Sequence, residues 1–172
     1  MSEYVILVNE RDEQLGLMEK IEAHEKGLLH RAFSVFVINS DGELLLQKRA
    51  SHKYHSGGLW SNTCCSHPRD GEDIEDAAHR RMQEEIGYDC HLEKLFTFIY
   101  KADFDNNMTE HEYDHVFVGY DNQNPVPNPD EVEDYKWMSL DDVKRDISEK
   151  PERYTAWFII VFERFYKTVL TR

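Results

Sequence analysis

Trp60 to Tyr88 reads WSNTCCSHPRDGEDIEDAAHRRMQEEIGY. Two adjacent thiols, Cys64 and Cys65, stand just ahead of an imidazole, His67, and a charge-rich segment follows. The spacing predicts a helix over Asp73 to Ile86, with Ala77, Ala78, Arg81 and Met82 giving turn-by-turn continuity and Gly87 standing where a helix stop belongs. Glu84 and Glu85 fall on its last turn, where carboxylates oppose the helix dipole and need a positive partner. A thiol, an imidazole and carboxylates in one turn-plus-helix unit point to a metal and a reacting group side by side.

On the N-terminal side, Tyr4 to Asn9 is an apolar strand ending in a polar turn, and Leu15 to Lys20 reads as a second short strand. Glu22 to Lys26 is one helical turn broken by Gly27. Ala32 to Ile38 is a β-branched and aromatic strand, returned by the hairpin signal Asn39-Ser40-Asp41-Gly42 into Glu43 to Gln47. Ala50 to Gly58 is a polar loop. On the C-terminal side, Leu92 to Lys101 and Glu110 to Tyr120 read as strands joined by the loop 103–109. A proline-rich connection, Asp121 to Pro129, leads to a short strand, Tyr135 to Met138. Ser139 caps a helix over Leu140 to Lys150, and Thr155 caps a last helix whose face is Trp157, Ile160, Val161, Arg164, Phe165 and Thr168. Strands and helices are mixed, so the expected class is an α/β sandwich with a mixed central sheet.

With 172 residues the chain suits one domain with a real core. The net charge is −14, from 20 basic and 34 acidic side chains, and such a surface repels nucleic acid and anionic membrane. No stretch is long and apolar enough to span a membrane, and no basic-then-apolar leader opens the chain. Three cysteines, two of them adjacent, make no disulfide framework, and reduced thiols fit the cytosol. The expectation is a soluble cytoplasmic protein, a monomer or weak dimer, without nucleic-acid or membrane partners.

Five residues are candidate ligands of a first metal. Glu110 and Glu112 stand at i and i+2 on a strand and so share a face. His67 follows the cysteine turn and is backed by Pro68, while His24 and His30 flank the Gly27 break. Imidazoles and carboxylates at five positions suit an octahedral divalent ion such as Mn²⁺ or Mg²⁺; Zn²⁺ needs fewer ligands but can be recruited. His52, His55, His79 and His91 read as ordinary surface or core residues.

Part of this pattern resembles the Nudix family, whose motif is G-x5-E-x7-R-E-U-x-E-E-x-G-U with U aliphatic. Glu72, Arg80, Met82, Glu84, Glu85 and Gly87 match it, whereas Ser66, Arg81 and Tyr88 depart from it. The Arg81 departure weakens a reading as a Nudix hydrolase of nucleoside or isoprenoid diphosphates, which remains the alternative. NTCCSHP is similar to the active-site signature of type 1 isopentenyl-diphosphate delta-isomerases, a family built on the Nudix fold. Its ligand contexts E-K-x3-H, L-H-x-A-F-S, C-x-H-P and E-x-E appear in order as EKIEAH, LHRAFS, CSHP and EHE.

The resemblance implies a single Nudix-type isomerase domain over 1–172, with an α/β/α arrangement. It implies a 1,3-shift of a proton between isopentenyl diphosphate and dimethylallyl diphosphate, a small-molecule substrate. Cys65 matches the catalytic cysteine, Glu112 the catalytic glutamate and metal ligand, and Tyr100 the tyrosine that bonds it. Trp157 matches the ring that faces a carbocation, by cation–π attraction. Lys20, Arg49 and Lys53 match the diphosphate contacts. Glu85 matches the helix glutamate that approaches a second ion, Mg²⁺, arriving with the diphosphate. Cys64 and Cys90 are left as small buried apolar residues.

Overall fold

The computed structural model describes residues 3–53, 55–104 and 106–170; positions 54 and 105 of the two expected loops, and both chain ends, lie outside the described residues. Strands β1 (Tyr4–Val8) and β2 (Gln14–Glu19) pair antiparallel. Helix α1 (Lys20–Lys26) follows, capped by the Glu19 side chain, which accepts from Glu22 N at 2.9 Å. The cap lets the helix begin earlier than the single turn expected from Glu22. Strands β3 (His30–Ile38), β4 (Glu43–Arg49), β5 (Trp60–Ser61) and β6 (Cys64–Ser66) precede helix α2 (Ile74–Ile86). Strands β7 (Glu93–Asp103), β8 (Thr109–Tyr120) and β9 (Val132–Ser139) lead to helices α3 (Leu140–Glu149) and α4 (Ala156–Leu170). The expected short strand before α3 is eight residues long, because all of it except Glu133, at a shift in register, pairs with β4. No helix among the described residues is long and apolar enough to cross a membrane.

The helix ends follow local chemistry. Asp73 accepts from Glu75 N at 2.9 Å and Asp76 N at 3.3 Å, Ser139 from Asp142 N at 3.1 Å, and Thr155 from Phe158 N at 3.3 Å. Gly87 stops α2 at φ 75°, and a Cβ there would meet the Val126 carbonyl oxygen at 2.4 Å.

Strand β3 is the centre of the sheet and is buried on both faces. Phe33, Val35 and Val37 point to α2, where Ala77, Ala78, Met82 and Ile86 receive them together with Leu45 and Phe117. Phe36 and Ile38 point the other way, to Trp157, Phe158, Val161, Phe162 and Phe165 of α4. Full burial of such a side chain contributes roughly 1.5–3 kcal/mol. The α4 face differs from the expected one. Phe158 and Phe162 are buried, while Ile160 and Arg164 face solvent. The stripe follows the i, i+4 rows 157–161–165 and 158–162, because α4 lies on a sheet wide enough to cover both.

The β3–β4 hairpin is only partly realised. Its turn forms, but the ladder ends after one pair, Ile38↔Leu44. Beyond it the two strands part, and the NT of NTCCSHP fills the gap. Thr63 Oγ1 accepts from Val37 N at 2.9 Å and donates to Leu45 O at 2.7 Å, bridging both strands. Asn62 Nδ2 donates to Val35 O at 3.1 Å and Cys64 O at 2.8 Å. Strand β6 then pairs with β3 on that edge, while β8 runs parallel to β3 along the other. Thr63→Val keeps the shape and strands two buried backbone groups. At roughly 1–3 kcal/mol each, this variant is expected to lose about 2–6 kcal/mol in urea unfolding; a loss near zero would show that the bridge carries no weight.

Candidate active site and metal centre

The alternation of β6 sorts the two cysteines. Val35↔Cys64 and Ser34↔Cys65 are opposed pairs, so successive thiols take opposite faces. Cys64 is packed with the α2 layer. Cys65 turns to the α4 side and lines a cavity of about 70 Å³. Its walls include ten of the expected site residues: Lys20, Arg49, Lys53, Cys65, His67, Glu85, Tyr100, Glu110, Glu112 and Trp157. His24 and His30 are fully buried beside it.

The histidines are held from behind. His24 Nδ1 lies 2.7 Å from Lys20 O and His30 Nδ1 lies 2.9 Å from Leu28 O. A carbonyl only accepts, so each Nδ1 carries a proton, and each Nε2 is the nitrogen turned to the carboxylates, a donor to them when protonated and a ligand for an ion when not. The parallel register sets His30 opposite Glu112. Glu112 Oε2 lies 3.1 Å from His30 Nε2 and 2.8 Å from His67 Nε2. His24 Nε2 lies 3.8 Å from Glu110 Oε2. Tyr100 Oη reaches Glu112 Oε1 at 2.5 Å and also bonds Glu110 Oε1.

Two carboxylates this close divide their roles. Burial raises the pKa of Glu110, and the Glu112 charge raises it further. Burial opposes the charge on Glu112 as well, but the hydrogen bonds from His30 and His67 outweigh it and hold Glu112 well below the usual carboxylate range. Burial brings His67 down to about 4. For His24, burial favours the neutral ring, yet Glu110 and the Lys20 carbonyl win and raise it. Burial, then the Glu85 charge, push the Cys65 thiol far up, so it stays protonated at neutral pH.

The donor set fits a divalent ion. One ligand atom each from His24, His30, His67 and Glu112 lie within 4.8 Å of one another, as do those of His24, His55 and Glu110. Ligands on opposite sides of an ion at about 2.0–2.3 Å are separated by roughly 4–4.6 Å, so the spacing is that of a coordination shell.

At the cavity mouth three of the four cations are matched by acids. Lys20 Nζ lies 2.9 Å from Glu3 Oε2, Lys53 pairs with Glu131, and Arg81 Nη2 lies 2.8 Å from Glu85 Oε2. Arg49 Nη2 donates to His55 O at 3.3 Å, its guanidinium lies 5.1 Å from the Trp157 ring centroid, and its buried Nε has no hydrogen-bond partner among the described residues.

Three features escaped sequence reading. His55, taken as ordinary, is buried on the cavity wall. Asp114 continues the inward row of Glu110 and Glu112, accepts from Ser34 Oγ at 2.8 Å, and is pushed well up by burial and the Glu112 charge. The i, i+2 rule applied once more would have found it. Gln47 donates to Glu85 Oε1 at 2.9 Å and to Thr63 O at 2.9 Å, tying the helix to the inserted turn.

The fold and these residues define a Nudix protein: residues 28–158 match the NUDIX domain family. In fold alone, the chain is similar to DR0079 from Deinococcus radiodurans, with TM-score 0.79 and 21% identity over 94% of this chain and 98% of that one. Among curated proteins it is 51% identical over 164 residues to isopentenyl-diphosphate Delta-isomerase 2 of Aromatoleum aromaticum, covering 95% of this chain and 87% of that protein. It is 53% identical over 158 residues to isopentenyl-diphosphate Delta-isomerase 2 of Photorhabdus laumondii, covering 92% and 89%. The isomerase of Burkholderia multivorans is 45% identical, over 100% of this chain and 98% of that one. The chain belongs to the isopentenyl-diphosphate Delta-isomerase family within the Nudix proteins.

Proposed function

We propose that this protein interconverts isopentenyl diphosphate and dimethylallyl diphosphate, the reaction its relatives' names describe. The observation that carries the reading is the convergence of Cys65, Glu112, Tyr100 and Trp157 on one small cavity whose mouth holds Lys20, Arg49, Lys53 and Arg81. His24, His30, His67, Glu110 and Glu112 would hold a divalent ion, Mn²⁺ or Mg²⁺ with Zn²⁺ possible, and Glu85 would meet a Mg²⁺ that comes with the diphosphate. Bound there, the ions supply positive charge that orients the carboxylates and neutralises phosphate.

The reaction adds one proton to the terminal alkene carbon and removes one from the carbon nearer the diphosphate. Cys65 and Glu112 stand on the two strands that flank β3, and the resting protein holds one protonated and the other ionised. One group gives and the other takes, with no net proton change, and each ends in the other's starting state. Tyr100, bonded to both carboxylates, is placed to move a proton during the reset. The diphosphate oxygens take over the lysine and arginine donors that Glu3, Glu131 and Glu85 occupy in the free protein. The buried Nε of Arg49 is a donor ready for one of them.

Trp157 meets the cationic carbon. A cation already lies near the ring, the Arg49 guanidinium at 5.1 Å from its centroid. Cation–π attraction of about 2 kcal/mol corresponds to roughly 30-fold in rate. Steady-state kinetics on isopentenyl diphosphate test this. The kcat is expected to fall in the order Trp157, Trp157→Phe, Trp157→Leu, by about 30-fold or more at the end, with KM changing less. Both variants also lose some Tm, since Trp157 is buried against α4's neighbours. A folded Trp157→Leu with wild-type kcat would remove the ring from the mechanism.

A further inference from the structure

We infer that the stacked rings of His55 and Phe104 are the end wall of the reaction cavity, and that Phe104 sets the length of hydrocarbon the site accepts. The inference rests on the isomerase reading and goes beyond it, to the substrates the site turns away. With the diphosphate donors at the mouth and Trp157 facing the cationic carbon, the branched carbon of the substrate sits at that ring. Any carbon added to its branches must find room beside Trp157. Two rings close that space. His55 meets Trp157 edge-on with centroids 5.5 Å apart, and Phe104 meets it edge-on at 6.2 Å. His55 and Phe104 lie face to face, with centroids 4.7 Å apart and planes at 11°. The three rings thus form a closed triangle.

Beyond the wall lies a second hollow, of about 590 Å³. His55 borders both spaces, and Phe104 borders the hollow. Leu59, Pro151, Ala156 and Ile159 give the hollow apolar surface that can receive an alkyl chain, alongside the polar Asp103, Asn106 and Glu152. The backbone under the wall is fixed. The His55 carbonyl accepts from Arg49 Nη2 at 3.3 Å, and Gly58 N donates to Arg49 O at 2.9 Å. A Cβ at Gly57 would meet Ser51 O at 2.5 Å, so the loop has no room to retreat that way. On the other side Phe104 N donates to Met108 O at 2.8 Å, which holds the half-buried Phe104 at the end of β7. A longer chain advances by swinging the His55 ring aside, and Phe104 lies flat against that ring.

The chemistry is the same for a lengthened substrate. The alkene electron pair takes a proton at the terminal carbon, and the C–H pair on the carbon nearer the diphosphate forms the new double bond. The proton gained and the proton lost balance, and no group leaves. Selection by length is therefore a matter of space at the wall, not of reactivity. Phe104 is a specificity-determining residue here and touches none of the reacting groups proposed above.

The probes are homologues of isopentenyl diphosphate in which ethyl, propyl or butyl replaces the methyl branch. For the wild type, kcat/KM is expected to fall about tenfold or more from methyl to butyl. Phe104→Ala is expected to raise the butyl-to-methyl ratio of kcat/KM about tenfold or more, with the value for isopentenyl diphosphate itself kept within about threefold. Phe104→Leu, which keeps more apolar bulk, is expected to fall between the two. Both substrates are measured on one preparation, so a partly unfolded variant cancels from the ratio. Variants with the wild-type ratio overturn this inference and leave the isomerase reading intact. A wild type that turns over the butyl homologue as fast as isopentenyl diphosphate does the same, with no variant needed. A wild type inactive on isopentenyl diphosphate overturns the isomerase reading and this inference together.

Discussion

Cys65→Ala is expected to lower kcat for isopentenyl diphosphate by about a thousandfold or more, the scale of losing a positioned acid or base. Fold and metal content are expected to survive, because the Cys65 side chain faces the cavity and is no ligand in the proposed site. Cys64→Ala is the matched comparison. Its thiol is fully buried in the α2 layer, so removal leaves a small void there. That variant is expected to lose about 1 kcal/mol of stability and keep most of its turnover. Measuring kcat and Tm for both variants separates the two roles. A dead Cys64→Ala beside an active Cys65→Ala would reverse the orientation of β6.

Glu112→Gln is expected to remove both the bound divalent ion and detectable turnover. One carboxylate oxygen serves His30 and His67, and the other bonds Tyr100. An amide offers one accepting oxygen and an NH₂ that only donates, so it cannot serve both sides. Metal affinity is expected to fall about 100-fold or more, since the change strikes a ligand and not merely a supporting group. Elemental analysis of the purified variant together with its kcat checks this. Retention of both the ion and the activity would take Glu112 out of the centre.

Local chemistry was legible in the chain. The stop at Gly87, the caps at Ser139 and Thr155, and the shared face of Glu110 and Glu112 depend on a few neighbouring residues and the geometry of a turn or strand. The opposite orientation of Cys64 and Cys65 follows from strand alternation alone. The assembly of the ten cavity residues was reached through the resemblance, not through spacing. What stayed hidden depends on partners distant in sequence. The Asn39–Gly42 turn signals a hairpin, but nothing near it announces that Asn62 and Thr63 enter between its strands. The buried stripe of α4 is set by the width of the sheet below it. His55 sits in a polar loop, and Phe104 and Trp157, from other parts of the chain, pack against its inward-turned ring. Arg81 departs from the hydrolase pattern, and its bonds to Glu84, Glu85 and Glu131 show why that departure matters. In the free protein it neutralises the two helix carboxylates Glu84 and Glu85.

The central claim is transposition of a double bond without cleavage of the diphosphate. The most direct test incubates the wild-type protein with isopentenyl diphosphate and divalent metal in D₂O, then follows products by NMR and released phosphate in the same sample. The account predicts dimethylallyl diphosphate carrying solvent deuterium, with no phosphate or pyrophosphate set free. Release of phosphate without formation of dimethylallyl diphosphate would contradict it and turn the same cavity into that of a Nudix hydrolase.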